Sequence, residues 1–423
     1  MILGVIADDF TGATDVASML VRAGMHTVQV IGVPTGALPQ ADAVVIALKT
    51  RTCPPAEAVE QSLRALSALQ GAGARQIYFK YCSTFDSTAQ GNIGPVADAL
   101  MKALGAKITI ACPAFPENGR TIYRGHLFVG DLLLSDSSMR THPLTPMLDA
   151  NLLRVLQPQT EQQVGLLPEP VVTQGPEAIG QALQALRRQG KGIAVADATD
   201  NQHLLNLAEA CADLPLVTAG SGLALGLGPA YARRGWFTPK AEAARLQPVL
   251  GRAAVVSGSC SQATQAQIAH WKAAGHASLQ IDPLAVHQGR QSAQQLKAQA
   301  LALLDRGPVL VHAAADADSV RAAQSQLGVQ QASDLTERTL AALAQALVEA
   351  GVRKLVVAGG ETSGAVTQAL GIERLRIGAS ICPGVPWTQG LWQGEPLWLA
   401  LKSGNFGGPD FFSAALDCAD VQA

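Results

Sequence analysis

The stretch 354–366, KLVVAGGETSGAV, carries a short apolar strand into Gly359-Gly360-Glu361-Thr362-Ser363-Gly364 and then into a helix-like segment. Strand, glycine turn and helix make the repeating unit of an α/β protein. Two adjacent glycines let the backbone come close to a ligand, and the unpaired amides of a helix start favour an anion. The same turn also serves as a plain connection, so on its own it divides evenly between the two roles. Its companions shift the balance. VVSGSCSQAT (255–264) is a second strand ending in a Ser/Gly turn, and LALKSGNFGGPD (399–410) is a third, ending in Ser403-Gly404-Asn405. Three strands that end in small, amide-exposing turns suit one nucleotide gripped from several loops at the carboxyl edge of a sheet.

Composition frames that site. At 423 residues the chain is too long for one ordinary core and implies two domains. Charged residues are 15% and apolar residues 48%, the balance of a well-buried α/β enzyme rather than of a solvated or disordered chain. A net charge of −2 leaves no polybasic footprint, which argues against nucleic acid and membrane surfaces as partners; a homo-oligomer remains compatible. The apolar runs are strand-length and the first residues read as a strand, not a basic segment with an apolar signal core, so a cytoplasmic location is expected. Seven cysteines, at 53, 82, 112, 211, 260, 382 and 418, are scattered without a C-x-x-C pair or a histidine at ligand spacing. They are expected to be reduced and mostly buried, with no structural zinc.

Strand candidates alternate with Ala/Leu/Gln-rich amphipathic stretches through both halves. They are Ile2–Ala7, Ala43–Leu48, Gln76–Lys80, Lys107–Cys112, Ile193–Ala196 and Leu214–Thr218, then Ala253–Ser257, Ser278–Ile281, Val309–His312, Leu355–Ala358, Arg374–Ile377 and Leu397–Leu401. Continuous Val/Ile/Leu runs of this length predict parallel sheets covered on both faces. The fold class is therefore two α/β domains with largely parallel sheets, the active site expected in the cleft between them. WFTPKAEAARLQPVLGR (236–252), with two prolines and several charges, predicts the boundary: residues 1–236 form one domain, 237–252 a linker and 253–423 the other. A long excursion from about Gly130 to Val172 carries Pro143, Pro146, Pro158, Pro168 and Pro170, as an active-site cover or an ordinary surface extension would.

The N-terminal half places polar chemistry at strand ends. Ile2–Ala7 delivers Asp8 and Asp9 just where a helix begins. One aspartate in that position commonly caps the helix. Two together repel and need a cation, a hydroxyl-rich ligand or a proton to coexist. The next strands deliver Arg51, and Lys80 ahead of Cys82-Ser83-Thr84-Phe85-Asp86. A single Lys or Arg there is more often a solvated surface charge. Converging on two aspartates, they suit a small, hydroxylated, acidic substrate, with Arg51 clamping its carboxylate bidentately and Lys80 acting as a point charge.

Familiar alternatives lack their motifs. There is no G-x-x-x-x-G-K-[ST], no H-E-x-x-H and no G-x-S-x-G. Gly220-Ser221-Gly222 follows a strand, but the next glycine is Gly226, one residue too far for a dinucleotide fingerprint; the turn still looks built for close backbone approach. His142 and His312 are as readily structural as catalytic.

ADDFTGATD (7–15), DSTAQGNIG (86–94), TAGSGLA (218–224), SGSCS (257–261), AGGETSG (358–364) and LALKSGNFG (399–407) together resemble the four-carbon acid sugar kinases, in order and along nearly the whole chain. KYCSTFDSTAQGNIGP (80–95), NGRTIYRGHLFV (118–129), MRTHPLTPM (139–147) and CPGVPW (382–387) resemble its 3-oxo-tetronate kinase branch. Many members have an Arg where Gln90 stands here, so no contact of that Arg carries over, and the difference favours the oxo-tetronate branch over erythronate or threonate kinases. The resemblance implies a substrate domain followed by a nucleotide domain, with ATP and Mg²⁺ phosphorylating the 4-hydroxyl of 3-oxo-tetronate. Matching motifs imply Ser259, Gly360, Glu361, Thr362, Ser363 and Gly404 at ATP, with Ser257, Gly359 and Asn405 as neighbours. Asp8, Arg51, Lys80 and Asp86 stand on the substrate side, with Asp9 as the base or as a purely orienting group. Phosphoryl transfer needs mostly positioning and charge neutralisation, which these residue types supply. A nicotinamide-dependent dehydrogenase and a non-catalytic sensor of sugar acid and nucleotide are the readings from other classes.

Overall fold

Short Val/Ile/Leu runs alternate with amphipathic segments in a computed structural model that describes residues 1–142, 144–313 and 325–422; Pro143 of the proline-rich excursion lies outside them. Two units separate by contact, Met1–Ala244 and Arg245–Ala423.

The first unit runs β1 (Leu3–Ala7), α1 (Phe10–Arg22), β2 (Thr27–Ile31), β3 (Ala43–Ala47), α2 (Pro55–Gly71), β4 (Gln76–Lys80), α3 (Ile93–Leu104) and β5 (Thr109–Cys112). It continues through β6 (Arg120–Tyr123), β7 (His126–Val129), β8 (Leu132–Leu133), α4 (Leu152–Leu156), β9 (Gln163–Leu167), α5 (Glu169–Val172), α6 (Pro176–Arg188), β10 (Lys191–Ala196), α7 (Asn201–Cys211), β11 (Leu216–Ala219) and α8 (Ala224–Arg233). Its main sheet has the order β2-β3-β1-β4-β11-β5-β10-β9, every pairing parallel. Strands such as β1 and β3 are buried along their whole length, which is why they are apolar without alternation.

The second unit runs β12 (Arg252–Ser257), α9 (Gln262–Ala273), β13 (Ala277–Gln280), α10 (Pro283–His287), α11 (Ala293–Leu304), β14 (Val309–His312), α12 (Val329–Glu349), β15 (Val352–Ala358), α13 (Gly360–Ala369), β16 (Arg374–Cys382), β17 (Val385–Trp392), β18 (Glu395–Lys402) and α14 (Phe411–Gln422). The order is β13-β14-β12-β15-β18-β17-β16; the first five are parallel, and β18, β17 and β16 form an antiparallel meander. Among the described residues no helix is long and apolar enough to cross a membrane.

Several elements depart from the sequence expectation. β2, TVQVI, is a full strand whose central Gln29 is buried; its Oε1 accepts a hydrogen bond from the Thr14 hydroxyl at 2.9 Å while its Nε2 has no partner among the described residues, so a half-satisfied polar side chain interrupts the apolar run. β17, VPWTQGLW, holds Pro386 and Gly390, which read as breakers; yet Trp387 is fully buried in it, and Arg374–Ile377 extends to Cys382 as its partner. The described part of the proline-rich excursion supplies part of the β6-β7-β8 sheet and the edge strand β9, and its Gln159 is buried against Ser87 and Gly94. None of the seven cysteines is in a disulfide, but only Cys112 and Cys211 are buried; Cys260 is exposed because it sits on a turn beyond a strand end.

Residues 237–251 contain no helix or strand, and they are not a free tether. Lys240 pairs with Asp42 at 2.8 Å in the first unit. Leu246 and Val249 sit in the core of the second, beside Trp387 and Trp398. Trp398 is wholly buried, lies 5.9 Å from the Trp387 ring and donates Nε1–H to the Gln247 carbonyl at 2.9 Å. Trp398→Ala is expected to cost the second unit about 3–5 kcal/mol through cavity formation, read as a lowered urea midpoint by circular dichroism.

Candidate functional site

In the first unit β3, β1 and β4 lie side by side, with Ala7 opposite both Ala47 and Lys80. The chain crosses over β1 in passing from β3 to β4, so their carboxyl ends open at a topological switch point, where open α/β sheets bind ligands. Backbone bonds stitch these ends together: Asp8 N–H donates to the Lys80 carbonyl at 3.1 Å, and Thr50 N–H to the Asp8 carbonyl at 2.9 Å. Asn92 reaches back from the start of α3 and donates to the carbonyls of Thr50 and Cys53 at 2.7 and 2.8 Å. The five residues expected on the substrate side thus meet at one edge.

Their charges are arranged around Arg51. Its Nε and Nη2 donate to the two oxygens of Asp8 at 2.9 and 2.8 Å, Nη2 also reaches Asp9 at 2.5 Å, and Nη1 lies 3.6 Å from Asp86. The fork expected to hold a substrate carboxylate is therefore engaged by Asp8. Asp9 also caps α1, accepting from Gly12 N–H at 3.0 Å and the Thr11 hydroxyl at 2.9 Å, so the capping role and the charged cluster coexist in one side chain. Burial pushes Asp9 up, but Arg51, Lys80 and the capping donors together overcome it and hold the carboxyl well below the usual range. Burial raises Asp8, with the Arg51 fork opposing it. Burial works against the charge on Arg51 too, but Asp8 and Asp9 outweigh it and drive the guanidinium further up. Asp9 is the firmly anionic member of the pair, and a weak base.

Lys80 is different. Its side chain is 3% exposed, and the nearest carboxylate oxygen is that of Asp9, 4.0 Å away. A Cβ on Gly12 would lie 2.4 Å from its ammonium, so glycine leaves room for the cation at the start of α1. The loop that follows is strained. Phe85 and Asp86 take φ of 67° and 47°, a region that costs a non-glycine residue roughly 1–3 kcal/mol. Burial of Phe85 edge-on to Tyr81, centroids 5.6 Å apart, and a 2.6 Å bond from the Thr84 hydroxyl to Asp86 hold that conformation. Asp15 adds a buried carboxyl, raised by burial and bonded by the Ser221 hydroxyl. Gly220 and Gly222 do allow close approach, to the chain itself: a Cβ on either would lie 2.7 Å from the Pro113 or Ala114 carbonyl. His142 is engaged locally, its Nδ1 3.1 Å from the Thr145 amide.

The second unit repeats the principle with backbone in place of charge. β12, β15 and β18 are neighbours, with Ser257 opposite Ala358 and Ala358 opposite Lys402. The three glycine turns therefore leave one edge side by side. Gly359 N–H donates to the Lys402 carbonyl at 2.8 Å, and Gly258 N–H to that of Ala358 at 3.0 Å. Gly359 has φ 124°, and a Cβ there would meet Thr362 Oγ1 at 2.9 Å; on Gly404 it would meet Ser259 Oγ at 2.4 Å. α13 opens directly from this edge, so its first amides, from Gly360 to Thr362, have no intrahelical acceptor. Gly360, Glu361 and Asn405 are exposed there, with Ser259 and Gly404 half-buried. Thr362 is buried under the edge, Ser363 spends its hydroxyl on the Gly359 carbonyl at 2.7 Å, and Ser257 is fully buried below. Sequence reasoning missed Asn92 and Asp15, which sit inside the quoted DSTAQGNIG and ADDFTGATD motifs, and Gln159 and Gln267, which lie in no quoted motif.

The first unit matches a family model described as a sugar-binding N-terminal domain over residues 3–227, and the second one described as a nucleotide-binding C-terminal domain over 254–412. A Burkholderia multivorans protein named 3-oxo-tetronate kinase is 57% identical over 423 residues, covering 100% of this chain and 98% of its own. Proteins of that name from Cupriavidus necator and Salmonella typhimurium are 55% and 47% identical, each over 98% of this chain and over 96% and 98% of their own. Among solved structures, a Salmonella typhimurium protein described as a putative tRNA synthase superposes with a TM-score of 0.88 at 47% identity, covering 98% of both chains. A Haemophilus influenzae protein superposes with 0.82 at 47% identity, covering 98% of this chain and 99% of its own.

The lowered pKa of Asp9 links charge to stability. A carboxyl held below its unfolded value of about 3.9 contributes stability above that pH and loses it as pH falls towards the folded value. Asp9→Asn retains a competent helix cap but not this contribution, so its urea midpoint is expected below wild type at pH 5, the gap narrowing towards pH 3.

Proposed function

The chain belongs to the four-carbon acid sugar kinase family, and we propose on that premise that it transfers the γ-phosphoryl group of ATP to the 4-hydroxyl of 3-oxo-tetronate, yielding 3-oxo-tetronate 4-phosphate and ADP. The observation that carries the reading is that likeness to 3-oxo-tetronate kinases runs through the whole chain, both units included. The two edges have the matching chemistry: stacked amides for a triphosphate in one unit, and carboxylates with buried cations for a hydroxylated acid in the other.

In this reading Lys80 takes the substrate carboxylate, because its ammonium is buried with Asp9 at the edge of ion-pair distance. Arg51 keeps three neighbouring carboxylates compatible, and Asp8 and Asp86 face the substrate hydroxyls. Asp9 accepts the hydrogen bond of the 4-hydroxyl and takes its proton as the new O–P bond forms. A weak base suffices, since the loose transition state of phosphoryl transfer asks for alignment more than for deprotonation. The Gly360, Glu361, Thr362, Ser363, Gly404, Asn405, Ser259, Gly359 and Ser257 turns hold ATP, with Ser363, Gly359 and Ser257 acting from beneath.

Among the described residues no cluster of three His, Cys, Asp or Glu side chains forms a metal cage. In this reading Mg²⁺ arrives on the nucleotide, an ion that keeps its waters and takes one or two carboxylates besides the phosphates. Glu361 is the acidic side chain at the turns, and the ion would neutralise phosphate charge there. The description of one structural relative as a tRNA synthase finds no support in a chain of net charge −2. A dinucleotide at residues 220–226 is disfavoured because the chain fills that turn itself.

An ADP-release assay across 3-oxo-tetronate, D-erythronate, L-threonate and D-threonate tests the assignment: kcat/KM is expected to be greatest for the oxo acid and to require Mg²⁺, and a wide advantage for any tetronate without the oxo group would refute the branch. Lys80→Met is expected to raise KM for the sugar acid roughly ten- to a hundredfold with a smaller effect on kcat, as loss of a charged hydrogen bond made alike in ground and transition states predicts.

A further inference from the structure

Lys402, the last residue of β18, is wholly buried, and no carboxylate pairs with it among the described residues. Its Nζ lies 3.1 Å from the Ser403 carbonyl, 2.9 Å from the Gly404 carbonyl and 3.2 Å from Thr264 Oγ1. The Gly404 carbonyl also accepts from Ser261 Oγ at 2.6 Å and lies 2.9 Å from Thr264 Oγ1. One helical turn further along α9, Gln267 Nε2 donates to the carbonyls of Phe406, Gly407 and Gly408 at 3.0, 3.1 and 3.0 Å. Ser261, Thr264 and Gln267 recur every third residue, so one face of α9, together with Lys402, draws the carbonyls of 403, 404, 406, 407 and 408 to the inside. A trans peptide points its N–H opposite to its C=O. Carbonyls of Ser403 and Gly404 held inward therefore turn the amides of Gly404 and Asn405 outward, making an anion-binding concavity of backbone donors.

We propose that Lys402 is a positioning residue for the nucleotide: from beneath the 403–408 turn it aims the Gly404 and Asn405 amides at the triphosphate and supplies a buried positive charge whose counterion is the bound phosphate. This rests on the placing of ATP at this edge. The groups facing Lys402 allow that role. α9 presents hydroxyls, α14 presents the Phe411 ring at 5.8 Å, and the titratable neighbour is the Cys382 thiol of β16, itself pushed up to about 11 by burial. Burial lowers Lys402 to about 8, only partly opposed by Cys382. An anion bound above the turn favours the charged form, so nucleotide binding raises this pKa again and takes up a proton.

Calorimetric titration of ATP into the whole protein tests this between pH 7 and 9.5, in buffers of different ionisation enthalpy. Wild type is expected to take up protons on binding near pH 8–9 and to lose affinity as pH rises through that range. Lys402→Met is expected to bind ATP roughly ten- to a hundredfold more weakly at pH 7, without proton uptake and with sugar-acid affinity unchanged. Lys402→Arg, charged throughout, restores affinity and removes the pH dependence. Should Lys402→Met not fold, judged by its thermal melt, the wild-type proton balance decides alone, and no uptake overturns the proposal. Gly360→Val separates the two levels, because an added Cβ there points into open space apart from its own helix turn and chain neighbours, so the branched side chain takes up the room assigned to the ligand. Weakened binding in Gly360→Val with unchanged binding in Lys402→Met overturns the role of Lys402; unchanged binding in both overturns the nucleotide site itself.

Discussion

Parallel strands deliver every carboxyl terminus to one edge, and whatever chemistry a parallel sheet performs is assembled from the few residues that follow those termini. Both units obey this constraint at the strand where the chain reverses its direction of winding: β1 between β3 and β4, and β12 beside β15. The consequences differ because the residues after the strands differ. In the first unit three carboxylates crowd one edge, and Arg51 and Lys80 make their coexistence affordable. In the second the turns are glycine and serine, and what they expose is main-chain donors.

The strand ends were legible because the strands are apolar along their whole length and the residues after them are not. Asp8, Asp9, Arg51, Lys80 and the 359–364 turn stand out against such runs even in isolation. What the residue order does not disclose is which partner claims which charge. Arg51 reads as a clamp for a ligand carboxylate, and only the register of β1 against β3 shows its fork held by Asp8. Lys402 lies inside a motif whose glycine drew attention, yet its role depends on α9, more than a hundred residues earlier in the chain. β2 and β17 were hidden for a related reason: Gln29 and Pro386 break the apolar pattern locally, and the pairing of their strands with β3 and β18 holds them in the sheet.

Strain and satisfaction are also divided between the edges. The loop after β4 stores backbone strain at Phe85 and Asp86, locked by an aromatic contact and a hydroxyl. The turn after β18 stores none at the corresponding positions; almost every carbonyl there has a donor. One edge is preorganised by packing a costly conformation, the other by saturating a relaxed one.

The face of α9 that gathers the carbonyls of 403–408 belongs to the helix that begins at Ser261, at the end of the turn after β12. Two of the three glycine turns therefore share one helix. A displacement of α9 carries both, and the bonds from Gly359 N–H to the Lys402 carbonyl and from Gly258 N–H to the Ala358 carbonyl pass it on to the start of α13.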